Sequence, residues 1–352
     1  MSVDAGVAVA GDGSGASFER SQRRGPLDWV QHTLHRFPVL SPALVLLVAC
    51  VVFTMIDHGR FQRPDTIGRT LQQTAVIGAL AIGQTIIVLT AGIDLSVGVI
   101  AIFAHVMMAR LAYHNHWNPL LALVAGVVAA TLFGVLNGTL VSKVKLPPFI
   151  VTLGTLNVFG ALALIYSQAR EISGDNLRGS GNGLLVWTGN TIKIGSLTIT
   201  TGVLLMLVMY VVFAYVLGST AWGRHIYAVG DDADAAGLAG IDVSRVKLSA
   251  YAVAGLVYGI GGWILLGRAD TAGTNNASGA NLDTITAVVI GGLSLFGGRG
   301  LVWGSLLGAL IAVVYNTGLS LAGVNANYRL LAVGVLIVAA VALDQWIRKV
   351  GK

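Results

Sequence analysis

Gly218-Ser219-Thr220-Ala221-Trp222-Gly223-Arg224, continuing through Ala228-Val229-Gly230-Asp231-Asp232, Ala235-Ala236 and Gly240-Ile241 to Lys247, is a polar stretch set between two strongly apolar runs, 200–217 and 248–267. Each flanking run is close to the ~20 residues an α-helix needs to cross the hydrocarbon of a bilayer. The polar stretch between them therefore stands outside the membrane. Its small residues fit a short helix, and Gly230 and Gly240 permit turns at its ends. Arg224, Arg245 and Lys247 place it on the basic side, which is the cytoplasmic side of a membrane protein. Such a helix is a surface shown to a soluble partner, and the expectation is that this partner powers the protein.

Working outward, similar apolar runs recur along the 352 residues, at about 39–56, 71–91, 95–113, 119–141, 149–168, 200–217, 248–267, 283–297, 301–320 and 329–347. The chain is 55% hydrophobic and only 11% charged, against roughly a quarter charged in a soluble domain. An all-α integral membrane protein of about ten transmembrane helices is expected. Ten crossings put both termini on one side. The short basic segment Ser142–Lys145, Arg299 and the terminal Arg348, Lys349 and Lys352 make that side cytoplasmic. A five-plus-five inverted repeat is an architecture many transporters use, although the halves show no clear sequence echo.

The net charge of +6 is explained by topology-setting Lys and Arg, without nucleic acid as a partner. The single cysteine, Cys50, lies inside an apolar run and allows no disulfide within the chain. Residues 1–38 read as a basic, disordered cytoplasmic lead without a cleavable signal, ahead of a membrane domain spanning 39–348 with the 218–247 loop inside it. The 169–199 segment, rich in Gly, Asn and Ser, reads as a long outer loop suited to docking an external partner. The 270–282 segment lies where a ligand would enter between spans seven and eight.

Asp94 is the acidic residue that most needs a reason. It sits in Thr90-Ala91-Gly92-Ile93-Asp94-Leu95-Ser96-Val97-Gly98, where two apolar spans meet with almost no loop. A carboxylate there is costly unless paired or wet. Either Asp94 and Ser96 line a solute cavity or gate, or Asp94 caps the following helix. Gln84, Thr85, His105, Asn137, Asn157, Thr284, Thr286 and Asn316 also interrupt apolar runs, and Thr152 joins them as a candidate for the translocation path. Each is equally able to hydrogen-bond a neighbouring helix, typically for about 0.6–2 kcal/mol. As a set they suit a neutral, hydroxylated solute. No dense row of buried acids or histidines marks a proton- or sodium-coupled carrier, which is the rival transport reading.

Leu146-Pro147-Pro148-Phe149 stops one span and starts the next. Gly297-Gly298-Arg299-Gly300 is a tight turn lacking the Lys-Ser/Thr of a phosphate-binding loop. His114-Asn115-His116 lacks companions for a metal site. No catalytic motif or catalytic residue is found, which argues against an enzyme and against a membrane-embedded transferase.

Ala91–Gly98, the stretch from Asn137-Gly138 to Gly154, Gly223–Ile241, and Ala287-Val288-Val289-Ile290-Gly291-Gly292 through Gly300 occur in this order. Together they resemble the permease subunits of bacterial ABC importers for monosaccharides, the ribose, xylose, fructose and galactose group, over about residues 40–350. Asn137–Val141, Thr220–Arg224, Tyr227–Asp232 and Asp344–Val350 are most similar to fructose-import permeases. The resemblance implies a homodimer of permeases in the cell inner membrane. It further implies two cytoplasmic ATPase subunits that bind the ATP and magnesium, a sugar-binding protein outside, and no cofactor in this chain. By the same resemblance Gly223, Arg224, Gly230, Asp231, Ala235, Ala236, Gly240 and Ile241 belong to the coupling helix received by the ATPase. Ala239 stands where a Ser often precedes the glycine.

Overall fold

The computed structural model describes residues 39–57, 59–277, 279–335 and 338. Nine apolar helices coincide with nine of the expected spans. They are α1 (Leu40–Ile56), α2 (Pro64–Leu89), α3 (Val97–Tyr113), α4 (Pro119–Ser142), α5 (Pro148–Ser167), α7 (Thr201–Ser219), α10 (Val243–Ala269), α11 (Ala280–Ile290) and α12 (Val302–Leu321). Six of these are long and apolar enough to cross a membrane, while α1, α3 and α11 are shorter. The expected tenth span is described only as helix over 326–335. The 1–38 lead and the Asp344–Val350 motif lie outside the described residues.

Prolines set the helix starts. Pro64, Pro119 and Pro148 each occupy a first-turn position, where a missing N–H costs nothing and the fixed φ suits the helix. The two longest helices, α2 and α10, are also deeply buried and form the centre. They run antiparallel, with Gly83 beneath the Tyr258 ring and Gly261 against Leu80. Helix α4 packs on α10 through small residues. Ala130, Gly134 and Gly138, spaced by four, face Tyr251, Gly255 and Gly259, and a Cβ on Gly255 would stand 2.5 Å from the Ala130 carbonyl oxygen. Backbones approach this closely because lipid gives no hydrophobic reason to associate, so packing must supply one.

The outer faces are apolar. Leu47 and Met55 on α1, Leu120 and Leu132 on α4, Ile150 and Ile165 on α5, and Val208 and Tyr215 on α7 are all exposed, as a bilayer requires.

The 169–199 segment is not an open loop. It folds into β1 (Ile172–Ser173), α6 (Gly174–Gly179), a 3-10 turn over Gly183–Gly189, and a hairpin of β2 (Thr191–Ile194) and β3 (Leu197–Thr200). These small sheets qualify the all-α expectation. β1 pairs with β4 (Thr271–Ala272), Ile172 opposite Ala272, so the two segments expected as separate loops are joined. Arg178 donates to both carboxylate oxygens of Asp270, at 2.6 and 3.2 Å, and that carboxylate holds the guanidinium above its ordinary value. Trp263 donates to the Leu184 carbonyl at 3.1 Å, and Thr188 to the Trp263 carbonyl at 2.8 Å. The segment is thereby fastened to α10.

Candidate functional site

Two regions carry the polar chemistry, and the first is the break between α2 and α3. Helix α2 ends in a left-handed turn: Thr90 donates through Oγ1 to Ile87 O at 2.8 Å, and Ala91 has φ +60°. The chain then runs without helix to Ser96. Asp94, 1% exposed, accepts at Oδ1 from Ser96 N at 2.7 Å and from Ser96 Oγ at 2.6 Å. Its side chain thus fixes Ser96, the N-cap residue of α3, without itself bonding the free N–H groups of the helix's first turn, so the expected helix cap is not formed.

Other helices converge on the same spot. Asn137 of α4 donates to Ser96 Oγ at 2.9 Å. In the orientation that satisfies both its ends, the Gln84 carboxamide of α2 donates to Asp94 O at 3.0 Å and accepts from Asp94 N at 3.3 Å. Thr152 of α5 donates to Ile93 O at 3.0 Å. Tyr258 of α10 brings its hydroxyl within 3.5 Å of the Gln84 carboxamide and beside the Asp94 carboxylate. Gly98, in the first turn of α3, donates to Asn281 Oδ1 at the start of α11, at 2.6 Å. The two short helices therefore meet N-terminus to N-terminus.

Five of the eight sequence-selected path residues, Gln84, Asp94, Ser96, Asn137 and Thr152, are gathered here. The other three stand apart. Thr284 is buried but bonds back to Ala280 and Asn281 of its own helix. Asn157 lies on the exposed face of α5, donating to Leu153 O at 3.1 Å. Asn316 is half-buried on α12. His105 is buried and far along α3; its Nε2 accepts from Gly273 N at 3.2 Å. The nearby Ala101 carbonyl, 3.3 Å from Nδ1, places the ring proton on Nδ1, so the neutral ring holds the 270–276 segment.

Tyr258 and Asn281 escaped the sequence reading. A tyrosine inside an apolar run counts as filler until a polar group is found at its hydroxyl. Asn281 sits in a segment legible only as a loop.

The second region is the 218–247 stretch, which forms two helices rather than one. Thr220 caps α8 (Ala221–Asp231), accepting from Gly223 N at 3.1 Å. Asp232 is extended and caps α9 (Ala233–Leu238), accepting from Asp234 N and Ala235 N at 2.9 Å each. Gly240, with φ +86°, turns the chain, and Asp242 caps α10 through Arg245 N at 3.0 Å. Gly223, Gly230 and Ala236 are buried, Ile241 is half-buried, and Arg224, Asp231, Ala235 and Gly240 are exposed. Burial pushes the Tyr227 phenol up, keeping it the donor to Gly300 O at 2.8 Å. Leu238, at 93% exposure, is the most exposed large hydrophobic side chain on these helices. The small-residue pattern pointed to α9 without singling it out.

Among the described residues no cluster of three or more His, Cys, Asp or Glu could hold a metal ion.

The family profile described as branched-chain amino acid transport system / permease component matches residues 66–341. The chain is 43% identical over 335 residues to the fructose import permease protein FrcC of Rhizobium meliloti, covering 95% of this chain and 92% of that one. It is 37% identical over 306 residues to the ribose import permease protein RbsC of Bacillus subtilis (strain 168), covering 87% and 92%. It is 30% identical over 305 residues to the D-allose transport system permease protein AlsC of Escherichia coli (strain K12), covering 87% and 91%. No solved structure matches the chain.

Proposed function

This chain belongs to the transport-system permease family whose profile it matches, and on that premise we propose that it is the membrane-spanning subunit of an ATP-binding-cassette importer for a monosaccharide. Fructose is the favoured substrate, with ribose, xylose and galactose next. The observation that carries the reading is 43% identity across 95% of the chain to a fructose import permease. The neutral character of most groups at the α2–α3 break agrees with a hydroxylated, uncharged solute: amides, hydroxyls and a carboxylate already engaged by Ser96.

In this reading the protein sits in the cell inner membrane, crosses it ten times with both termini cytoplasmic, and works as a homodimer. An external binding protein delivers sugar to the face formed by 169–199 and 270–277. Two cytoplasmic ATPase subunits, which bind the ATP and magnesium, dock on α8 and α9 through Gly223, Arg224, Gly230, Asp231, Ala235, Ala236, Gly240 and Ile241. Exposed Leu238 is added to that surface. Gln84, Asp94, Ser96, Asn137, Thr152, Asn157, Thr284 and Asn316 are the path residues proposed from the sequence, with the first five the ones now in contact. The five-plus-five inverted repeat is supported by a correspondence between the halves. A long central helix leads through a non-helical break into a short helix twice, α2 into α3 and α10 into α11, with α2 and α10 antiparallel.

The test is uptake of labelled fructose, ribose, xylose and galactose in cells lacking the chain and in complemented cells. Uptake of one sugar restored by complementation, resistant to a protonophore while ATP is maintained and lost on ATP depletion, is the expected result. Uptake that collapses with the proton gradient at constant ATP would assign a secondary carrier instead.

A further inference from the structure

The turn Gly297-Gly298-Arg299-Gly300 lacks the residues of a phosphate-binding loop. Its surroundings supply a different role. Gly298 N donates to the carbonyl of Leu89, the last residue of α2, at 3.0 Å. A methyl group on Gly230, next to the end of α8, would overlap that same Leu89 oxygen and reach within 2.7 Å of Gly298 N. A methyl on Gly298 would stand 2.6 Å from Asp231 Cα, and one on Gly297 2.8 Å from Ala91 Cβ. Gly297 and Gly298 also have φ +89° and +67°, a region other residues enter at a cost. Tyr227 of α8 donates to Gly300 O, and Arg299 Nε lies 3.9 Å from Asp231 Oδ1. Three backbones are thus in direct contact: the end of α8, the 297–300 turn, and the end of α2 where the break begins. Gln84, five residues back along α2, holds both backbone atoms of Asp94.

We propose that the Gly297-Gly298 turn is the positioning element through which the α8–α9 surface sets the conformation of the Thr90–Ser96 break. The inference rests on the transport reading for its purpose, but its structural half stands separately. With no side chain interposed at the junction, displacement of α8 moves the Leu89 carbonyl through rigid backbone contact. The break, held by hydrogen bonds from α2, α4 and α5, would then shift with α8, giving a contiguous packed route of the kind that carries coupling between distant sites.

The experiment reconstitutes the chain with its ATP-binding subunit and sugar-binding protein in liposomes. It reads sugar moved per ATP hydrolysed, retention of the ATP-binding subunit, and thiol labelling of Ala91→Cys in a Cys50→Ser background. Tyr227→Phe removes one hydrogen bond and adds no volume. It should lower sugar per ATP about threefold with the ATP-binding subunit still bound, and raise labelling at position 91. Gly298→Ala should exceed it in both. An unchanged ratio and unchanged labelling in Tyr227→Phe would overturn the proposal. So would losses in both variants that simply track release of the ATP-binding subunit. If the unsubstituted complex moves no sugar with ATP, the transport reading fails. Labelling of the chain alone then decides the structural half: faster labelling in both variants upholds it, and equal labelling sinks it.

Discussion

Asp94 separates two uses of a buried carboxylate. Its observed bonds are accepted ones, from Ser96 N and Ser96 Oγ at one oxygen, and an amide oxygen can accept both. Asp94→Asn should therefore keep the start of α3 in place and retain uptake within about threefold. Asp94→Ala removes the acceptor and leaves a buried hydroxyl and N–H unpaired, at a cost of about 1–3 kcal/mol. Uptake and thermal unfolding of the purified chain, measured for both variants, check this. Large loss of uptake in Asp94→Asn with unfolding unchanged would show that the charge itself is used during transport. The position was legible in the sequence because an acid between two apolar spans has to be explained. Its partners were only half legible. Gln84, Asn137 and Thr152 stood out as polar interruptions, whereas Tyr258 did not, because α10 is apolar and buried on nearly every side and so offers no face on which a tyrosine looks misplaced.

Among the elements, helix packing depends on where small residues fall. Gly134 faces the Tyr251 carbonyl and Gly255, whereas Gly154 on α5 has open space beside it. Gly134→Ala should destabilise by about 1–3 kcal/mol, since backbone cannot yield to the added carbon. Gly154→Ala should be neutral or stabilising by up to about 1 kcal/mol, because a helix-interior glycine is replaced. Thermal unfolding in one detergent compares the pair directly. Helix α9 has the opposite design, with one large apolar side chain held out in solvent. Leu238→Asp should leave unfolding within about 0.5 kcal/mol of the parent, as an exposed substitution does, while sharply reducing co-purification of the ATP-binding subunit. Intact co-purification would move the docking surface away from α9. The break between α8 and α9 could have been seen in Asp231-Asp232, since the second acid is an N-cap followed by a short helix. The hairpin too had a signal that went unread. Gly195-Ser196 is a two-residue connection between β2 and β3, with φ +61° at the glycine, a pattern hairpins favour.

At the scale of the molecule, the spans were legible because a bilayer imposes length and apolarity on each one separately, so a window of sequence suffices. What lies beyond the spans was not legible, because it depends on residues far apart in the chain. The clamp over the outer end shows this. Arg178 reaches Asp270, ninety-two residues away, and the pairing of Ile172 with Ala272 has no local cue. The same clamp supports the last prediction. The Arg178–Asp270 pair is about half exposed on both sides, so it is worth little to global stability, about 0.2–1 kcal/mol. Its loss should instead appear locally. Residues 172–180 are held by two residues of strand pairing, the Gly174 N–Asp270 O bond, this ion pair and the buried Ile172 and Leu177, whereas buried Leu185 and Val186 and the bonds of Thr188 and Trp263 pin 183–189 to α10. Arg178→Ala should therefore raise amide hydrogen exchange across 172–180 severalfold while α2 and α10 exchange as before, since weakly held segments open independently of the core. If the external binding protein presses on this face to deliver its sugar, the same variant should also weaken stimulation of ATP hydrolysis by that protein and leave the basal rate intact. Faster exchange without any change in stimulation would keep the clamp as a structural fastening and move the docking surface elsewhere.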